Sequence, residues 1–152
     1  MKMNNARPVK VLLVEDSLHD IEITRRAFAK GGVRSEIYVA RDGQEALDYL
    51  YHLGKYQLPE TSPRPGIILL DLNLPKIDGL EVLRQIKQDE GLKAIPVIVL
   101  TVSQRQEDIS LSYNYGVNAY IQKPVEFQDF VKVINTIQEC WALVATLPPD
   151  PA

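Results

Sequence analysis

Short apolar runs recur along the chain, each breaking off into polar residues and giving way to a segment whose apolar positions follow the helical period. This rhythm predicts five strand–helix units. Val9 to Val14 (VKVLLV) reads as the first strand, and Ile21, Ile23, Ala27 and Phe28 form the stripe of a helix that Gly31 and Gly32 terminate. Ile37 to Ala40 reads as the second strand, with Ala46, Leu47, Leu50 and Leu53 following at helical spacing. Lys55 to Gly66 (KYQLPETSPRPG) carries three prolines and reads as an irregular loop, the candidate insertion at 55–66. Ile67 to Leu70 is continuously apolar, which predicts a central strand covered on both faces. Leu80, Val82, Leu83 and Ile86 supply the next helix, and Pro96 opens a fourth strand, Val97 to Leu100. A polar, weakly patterned helix through Ile109, Leu111 and Tyr113 leads to Gly116, and Ala119 to Ile121 is the fifth strand.

The last helix, expected from near Val125, has an unusually wide apolar face. At about 100° per residue, Phe127, Phe130, Val131, Val133, Ile134, Ile137, Cys140, Trp141 and Val144 occupy half its circumference, more than one sheet face requires. Some of that surface is expected to meet another molecule, with Phe127 and Trp141 as interface residues. The closing LPPDPA predicts a frayed tail over 146–152 behind a single domain at 9–145, with 1–8 as a leading segment. The whole chain of 152 residues, 45% hydrophobic and 24% charged, has the composition of an ordinary globular domain. A lone cysteine, Cys140, rules out an internal disulfide, and MKMNNARP lacks the apolar stretch of a secretory signal, so a cytoplasmic location is expected. The net charge of -3 comes with no basic block, so neither direct nucleic-acid binding nor a membrane surface is expected.

In an alternating parallel architecture the ligand site lies at the carboxyl ends of the strands. Those positions hold Glu15 and Asp16 after the first strand, Asp71 after the third, Thr101 after the fourth and Lys123 after the fifth. If the strand order is 2-1-3-4-5, strands one and three are neighbours and the three acids crowd together. Crowded carboxylates are relieved by a raised pKa or by a cation, and oxygen donors suit a hard divalent ion such as Mg2+. Three carboxylates, one Mg2+ and one ammonium cancel in charge, leaving a pocket that can receive a phosphoryl group. Asp71 can then act as an in-line nucleophile that forms an aspartyl-phosphate. Each residue alone has a plainer reading: acids at strand ends cap helices, threonine is a strand former, and a lysine before proline is a loop lysine. Their joint placement at four strand ends argues against coincidence.

With these residues in view, the chain strongly resembles the receiver domain of two-component response regulators. The pieces are VLLVEDS (11 to 17), LLDLNLPKIDGLEVL (69 to 83), PVIVLTVS (96 to 103) and AYIQKP (119 to 124). The resemblance implies a flavodoxin-like, doubly wound α/β fold, with one five-stranded parallel sheet in the order 2-1-3-4-5 and helices on both faces. It implies that Asp71 receives the phosphoryl group from a phosphohistidine on a sensor histidine kinase. Mg2+ would sit on Glu15, Asp16, Asp71 and the backbone carbonyl of Asn73, and Thr101 and Lys123 would contact phosphoryl oxygens. Thr101 and Tyr120 would move as a switch on phosphorylation, and Lys123-Pro124 would be cis, with Pro124 as the cis-proline. Val102 departs from the alanine that many members carry after the threonine.

The insertion and the Trp141-containing last helix add a second resemblance, to stand-alone regulators that partner phytochrome-type sensor kinases of cyanobacteria. A homodimer through the last helix is expected. The chain would be a phosphoacceptor acting only on itself and not an enzyme for outside substrates. An aspartyl phosphatase of the haloacid-dehalogenase type is the enzyme alternative, but that family wants a second aspartate where this chain has Asn73. A phosphorylation-independent interaction module is the third reading, and it leaves the set Asp16, Asp71, Thr101 and Lys123 without a purpose.

Overall fold

A computed structural model describes residues 8–32 and 34–140. Five strands, β1 (Val9–Val14), β2 (Ser35–Ala40), β3 (Ile67–Leu70), β4 (Val97–Thr101) and β5 (Ala119–Gln122), form one sheet. Its order is β2-β1-β3-β4-β5, and every pairing is parallel. The expected fold class is therefore the observed one. Helices α1 (Leu18–Lys30), α2 (Gly43–Tyr51), α3 (Gly79–Gln88), α4 (Gln106–Tyr115) and α5 (Phe127–Glu139) alternate with the strands.

Strand alternation sorts the core into two layers. Leu12, Val14, Ile68, Leu70, Val97 and Val99 face α2 and α3, where they pack with Ala46, Leu47, Leu50, Val82, Leu83 and Ile86. Val11, Leu13, Ile67, Leu69, Ile98 and Leu100 face the other way and pack with Ile21, Ala27 and Phe28 of α1 and Phe130, Ile134 and Ile137 of α5. Because both faces are covered, β3 and β4 are apolar without alternation and fully buried. Three helices start on a side-chain cap at the carboxyl end of the sheet: Ser17, Asp42 and Asp78 each accept the N–H of the third helical residue.

Several local expectations are revised. Leu53 falls outside α2, which ends when His52 takes a left-handed conformation (φ 58°). The segment 55–66 is not a loose loop: after a 3-10 turn at Gly54–Tyr56 it is pinned to α2. The Tyr49 hydroxyl donates to the Pro63 carbonyl (2.8 Å), the His52 ring bonds the Ser62 carbonyl (2.8 Å), and the Tyr56 hydroxyl donates to Glu45 (2.9 Å). Helix α5 begins two residues later than expected, leaving Val125 97% exposed. Its broad apolar face is used largely within the domain, because Val131 and Val133 flank the buried Phe130, Ile134 and Ile137 against the sheet. Phe127 is half-buried, while Trp141 and the expected tail lie outside the described residues. The peptide before Pro124 is trans, which corrects the expected cis bond; trans is the favoured isomer even before proline, and it already lets Lys123 reach the acids described below.

Candidate functional site

At the carboxyl edge of the sheet, β1 and β3 lie side by side, with Val14 opposite Leu70. The residues that follow these strands are therefore delivered to the same place. Backbone bonds hold both exits extended: the Asp71 N–H donates to the Val14 carbonyl (3.1 Å) and the Glu15 N–H to the Ala40 carbonyl (3.0 Å). After Asp71 the chain turns sharply, and the Gly79 N–H returns to the Leu72 carbonyl (3.0 Å). A Cβ at Gly79 would lie 2.3 Å from the Asp71 carbonyl oxygen, so only glycine allows the start of α3 to approach this closely.

One oxygen from each of Glu15, Asp16 and Asp71 lies within 4.8 Å of the others. Glu15 and Asp71 are buried and Asp16 is partly exposed. Lys123 enters this cluster from the end of β5. Its Nζ donates to Glu15 Oε1 (2.6 Å), to Asp20 Oδ2 (2.8 Å) and to Asp71 Oδ2 (3.0 Å). Its main chain is fixed too, since the Lys123 N–H donates to the Thr101 carbonyl (2.8 Å).

Burial pushes the Glu15 carboxyl up to about 7 against the pull of Lys123, and the charge of Asp71 adds to the rise. Burial works against the Lys123 ammonium, but its bonds to Asp20 and Glu15 and the charge of Asp71 outweigh that and raise its pKa. The pocket thus shows the signature of an acid cluster short of positive charge. Three hard oxygen donors this close together suit Mg2+ or a similar divalent ion, which typically keeps several waters and can meet phosphoryl oxygens.

The remaining expected residues stand around this centre. Asn73 is exposed beside it, and its N–H donates to Asp71 Oδ1 (3.2 Å). Thr101 is fully buried at the end of β4, where its hydroxyl oxygen accepts the Ser103 N–H (3.4 Å). Tyr120 is half-buried on β5, with its hydroxyl donating to the Ser103 carbonyl (3.0 Å), so it ties β5 to the loop after β4.

Two participants escape a reading of strand ends. Asp20 belongs to the first turn of α1, and only the Ser17-x-x-Asp20 spacing, which marks a capped helix start, places it near the site. Arg41 donates to the backbone carbonyl of Asp16 (2.9 Å), an exposed contact that no sequence pattern announces.

The comparisons agree with this geometry. The family model for the response regulator receiver domain matches residues 11–135. Response regulator Rcp1 of Synechocystis sp. is 43% identical over 93% of this chain and 94% of its own length. The crystal structure of its Mn(2+)-bound form superposes with a TM-score of 0.85, covering 93% of this chain and all of that one. The phosphorylated cyanobacterial phytochrome response regulator RcpA is 44% identical, with a TM-score of 0.87 over 94% of this chain and 100% of its own. A protein of Methanothrix harundinacea, described as "Probable methanogenesis regulatory protein FilR2", is 44% identical over 88% of this chain and 84% of its own.

Proposed function

Because the chain belongs to the response regulator receiver family, a signalling phosphoacceptor rather than an enzyme, we propose that Asp71 accepts a phosphoryl group from the phosphohistidine of a sensor histidine kinase. The observation that carries this reading is the placement of Asp71, whose carboxylate shares Lys123 with Glu15 in a pocket that a divalent cation fits. A carboxylate oxygen of Asp71 attacks phosphorus in line. The P–N bond to the kinase imidazole breaks, and its electron pair stays on the ring nitrogen. Glu15, Asp16 and Asp71, with the Asn73 carbonyl, would hold Mg2+, which supplies positive charge to the phosphoryl oxygens when bound. The Lys123 ammonium would be a second positive charge at those oxygens, and the buried Thr101 hydroxyl would contact them as a switch.

Three exposed apolar side chains stand at this end of the sheet: Leu18 opening α1, Val102 after β4 and Val125 after β5. They support docking of a partner helix at the mouth of the pocket. The similarity to RcpA, a cyanobacterial phytochrome response regulator, supports a phytochrome-type kinase as the donor. Output would pass through Thr101 and Tyr120 to the surface of α4, β5 and α5, and a homodimer through the last helix would use Phe127 and Trp141. Unchanged sedimentation of Trp141→Ala would remove that helix from the dimer.

The test of the acceptor is intact-protein mass spectrometry after incubation with acetyl phosphate, with and without Mg2+. The wild type gains one phosphoryl group only with Mg2+, and Asp71→Asn gains none. Incorporation retained in Asp71→Asn would assign the acceptor elsewhere.

A further inference from the structure

We propose that Asp20 is a positioning residue for Lys123, the anchor that keeps its ammonium aimed into the pocket while the other carboxylates change partners. This inference rests on the phosphoacceptor reading. Lys123 Nζ has three protons to donate, and in this structure Glu15, Asp20 and Asp71 receive them at 2.6, 2.8 and 3.0 Å. Two of those acceptors belong to the group that converges on a cation; Asp20 does not.

Consider the pocket as it reacts. With a cation bound, Glu15 and Asp71 would direct oxygens to it, and the Asp71 oxygen that forms the new bond to phosphorus would lose its charge. Both are then weaker partners for Lys123. Asp20 undergoes neither change. It sits one helical turn above the pocket on α1, its side chain about a third exposed and the Lys123 side chain nearly closed off, at 31% and 9%. One charged hydrogen bond to Asp20 leaves two donors of the ammonium for phosphoryl oxygens. Without it, a four-carbon stem with free rotations must be ordered at every encounter.

The fold does not depend on this carboxylate. The cap of α1 uses the Asp20 N–H and the Ser17 hydroxyl, and Thr24 bonds the Asp20 carbonyl, so the backbone contacts survive truncation of the side chain.

The experiment compares wild type, Asp20→Ala, Asp20→Asn and Asp20→Glu in two measurements: the rate of phosphorylation by acetyl phosphate with saturating Mg2+, and the affinity for Mn2+ in the absence of phosphodonor. Loss of a charge-assisted bond predicts that Asp20→Ala is phosphorylated on the order of tenfold more slowly. Asp20→Asn, which keeps an acceptor oxygen without its charge, falls between, and Asp20→Glu recovers part of the rate. Mn2+ affinity stays within about twofold of wild type throughout, because none of the cation's own oxygen donors is changed. A wild-type rate in Asp20→Ala overturns the inference. So does a parallel loss of Mn2+ affinity, which would make Asp20 part of the cation site. Failure of the wild type itself to take up phosphate would instead overturn the phosphoacceptor reading.

Discussion

Helices α3 and α4 lie next to each other against the same face of the sheet, yet they are held in different ways. Helix α3 buries Val82, Leu83 and Ile86 and starts on the Asp78 cap, whose carboxylate accepts the Glu81 N–H. Helix α4 buries only Ser112, and its first residue follows Arg105, which provides no side-chain cap. The first is fastened by apolar area and local hydrogen bonds together. The second rests on the partly buried Tyr115, on the loop ahead of it and on a left-handed Gly116 at its end (φ 102°). In a domain whose pocket is built by β1, β3 and β5, this asymmetry leaves one flank rigid beneath Asp71 and the other free to adjust above Thr101. Stability is unevenly distributed, and the weakly held element is the one next to the expected switch.

The contrast can be broken most sharply by paired truncations. Leu83→Ala should cost about 2–5 kcal/mol in urea unfolding, the range for a buried leucine. Leu111→Ala on α4 should stay within about 0.5 kcal/mol, as an exposed site does. Equal losses would mean that α4 is as firmly packed as its neighbour.

A smaller effect is expected at Lys87 in the last turn of α3. Its ammonium donates to the carbonyls of Lys93 and Ile95 and to Asn118 Oδ1, at 3.1, 2.8 and 3.2 Å, and the Asn118 oxygen also accepts the Val97 N–H. Burial lowers the Lys87 pKa, and these acceptors stand in for part of the water the ammonium gives up. Lys87→Met keeps the stem and removes the donors, and about 1–3 kcal/mol should be lost by chemical denaturation. No loss would show that the α3 side owes its rigidity to apolar packing alone.

Among the variants expected to lose stability, the smallest loss should come from Tyr120→Phe, which deletes one bond to the Ser103 carbonyl ahead of α4 and should cost about 0.5–1.5 kcal/mol. Faster amide exchange confined to α4 in this variant would sharpen the picture of a lightly tethered element. Exchange raised equally in α3 would count against it.

The same asymmetry explains what could be read from the chain. β1 and β3 run over the residues expected because buried strands are bounded by abrupt polar residues. β4 and β5 each extend one residue further, into Thr101 and Gln122, because ladder pairing continues where hydropathy stops. The site was legible in Glu15, Asp16, Asp71 and Lys123, all of which end strands. Asp20 was not, because it reaches the pocket from a helix. The packing of 55–66 was hidden as well: it depends on hydroxyls of Tyr49 and Tyr56, whose partners at Pro63 and Glu45 carry no periodic signal. On α5 the buried Gln138, which bonds the Ser35 hydroxyl (3.0 Å), stands within the apolar arc, where a polar residue gives no hydropathy signal.

Glu15 and Lys123 stand 108 positions apart, and the bond between them closes nearly the whole length of the domain. During synthesis, β1, β3 and β4 are all made before the lysine is. Until β5 arrives, Glu15, Asp16 and Asp71 repel one another without this ammonium among them, and a raised pKa or a captured cation is left to relieve them. Docking of the last strand therefore completes the sheet and brings the ammonium into the pocket in one event.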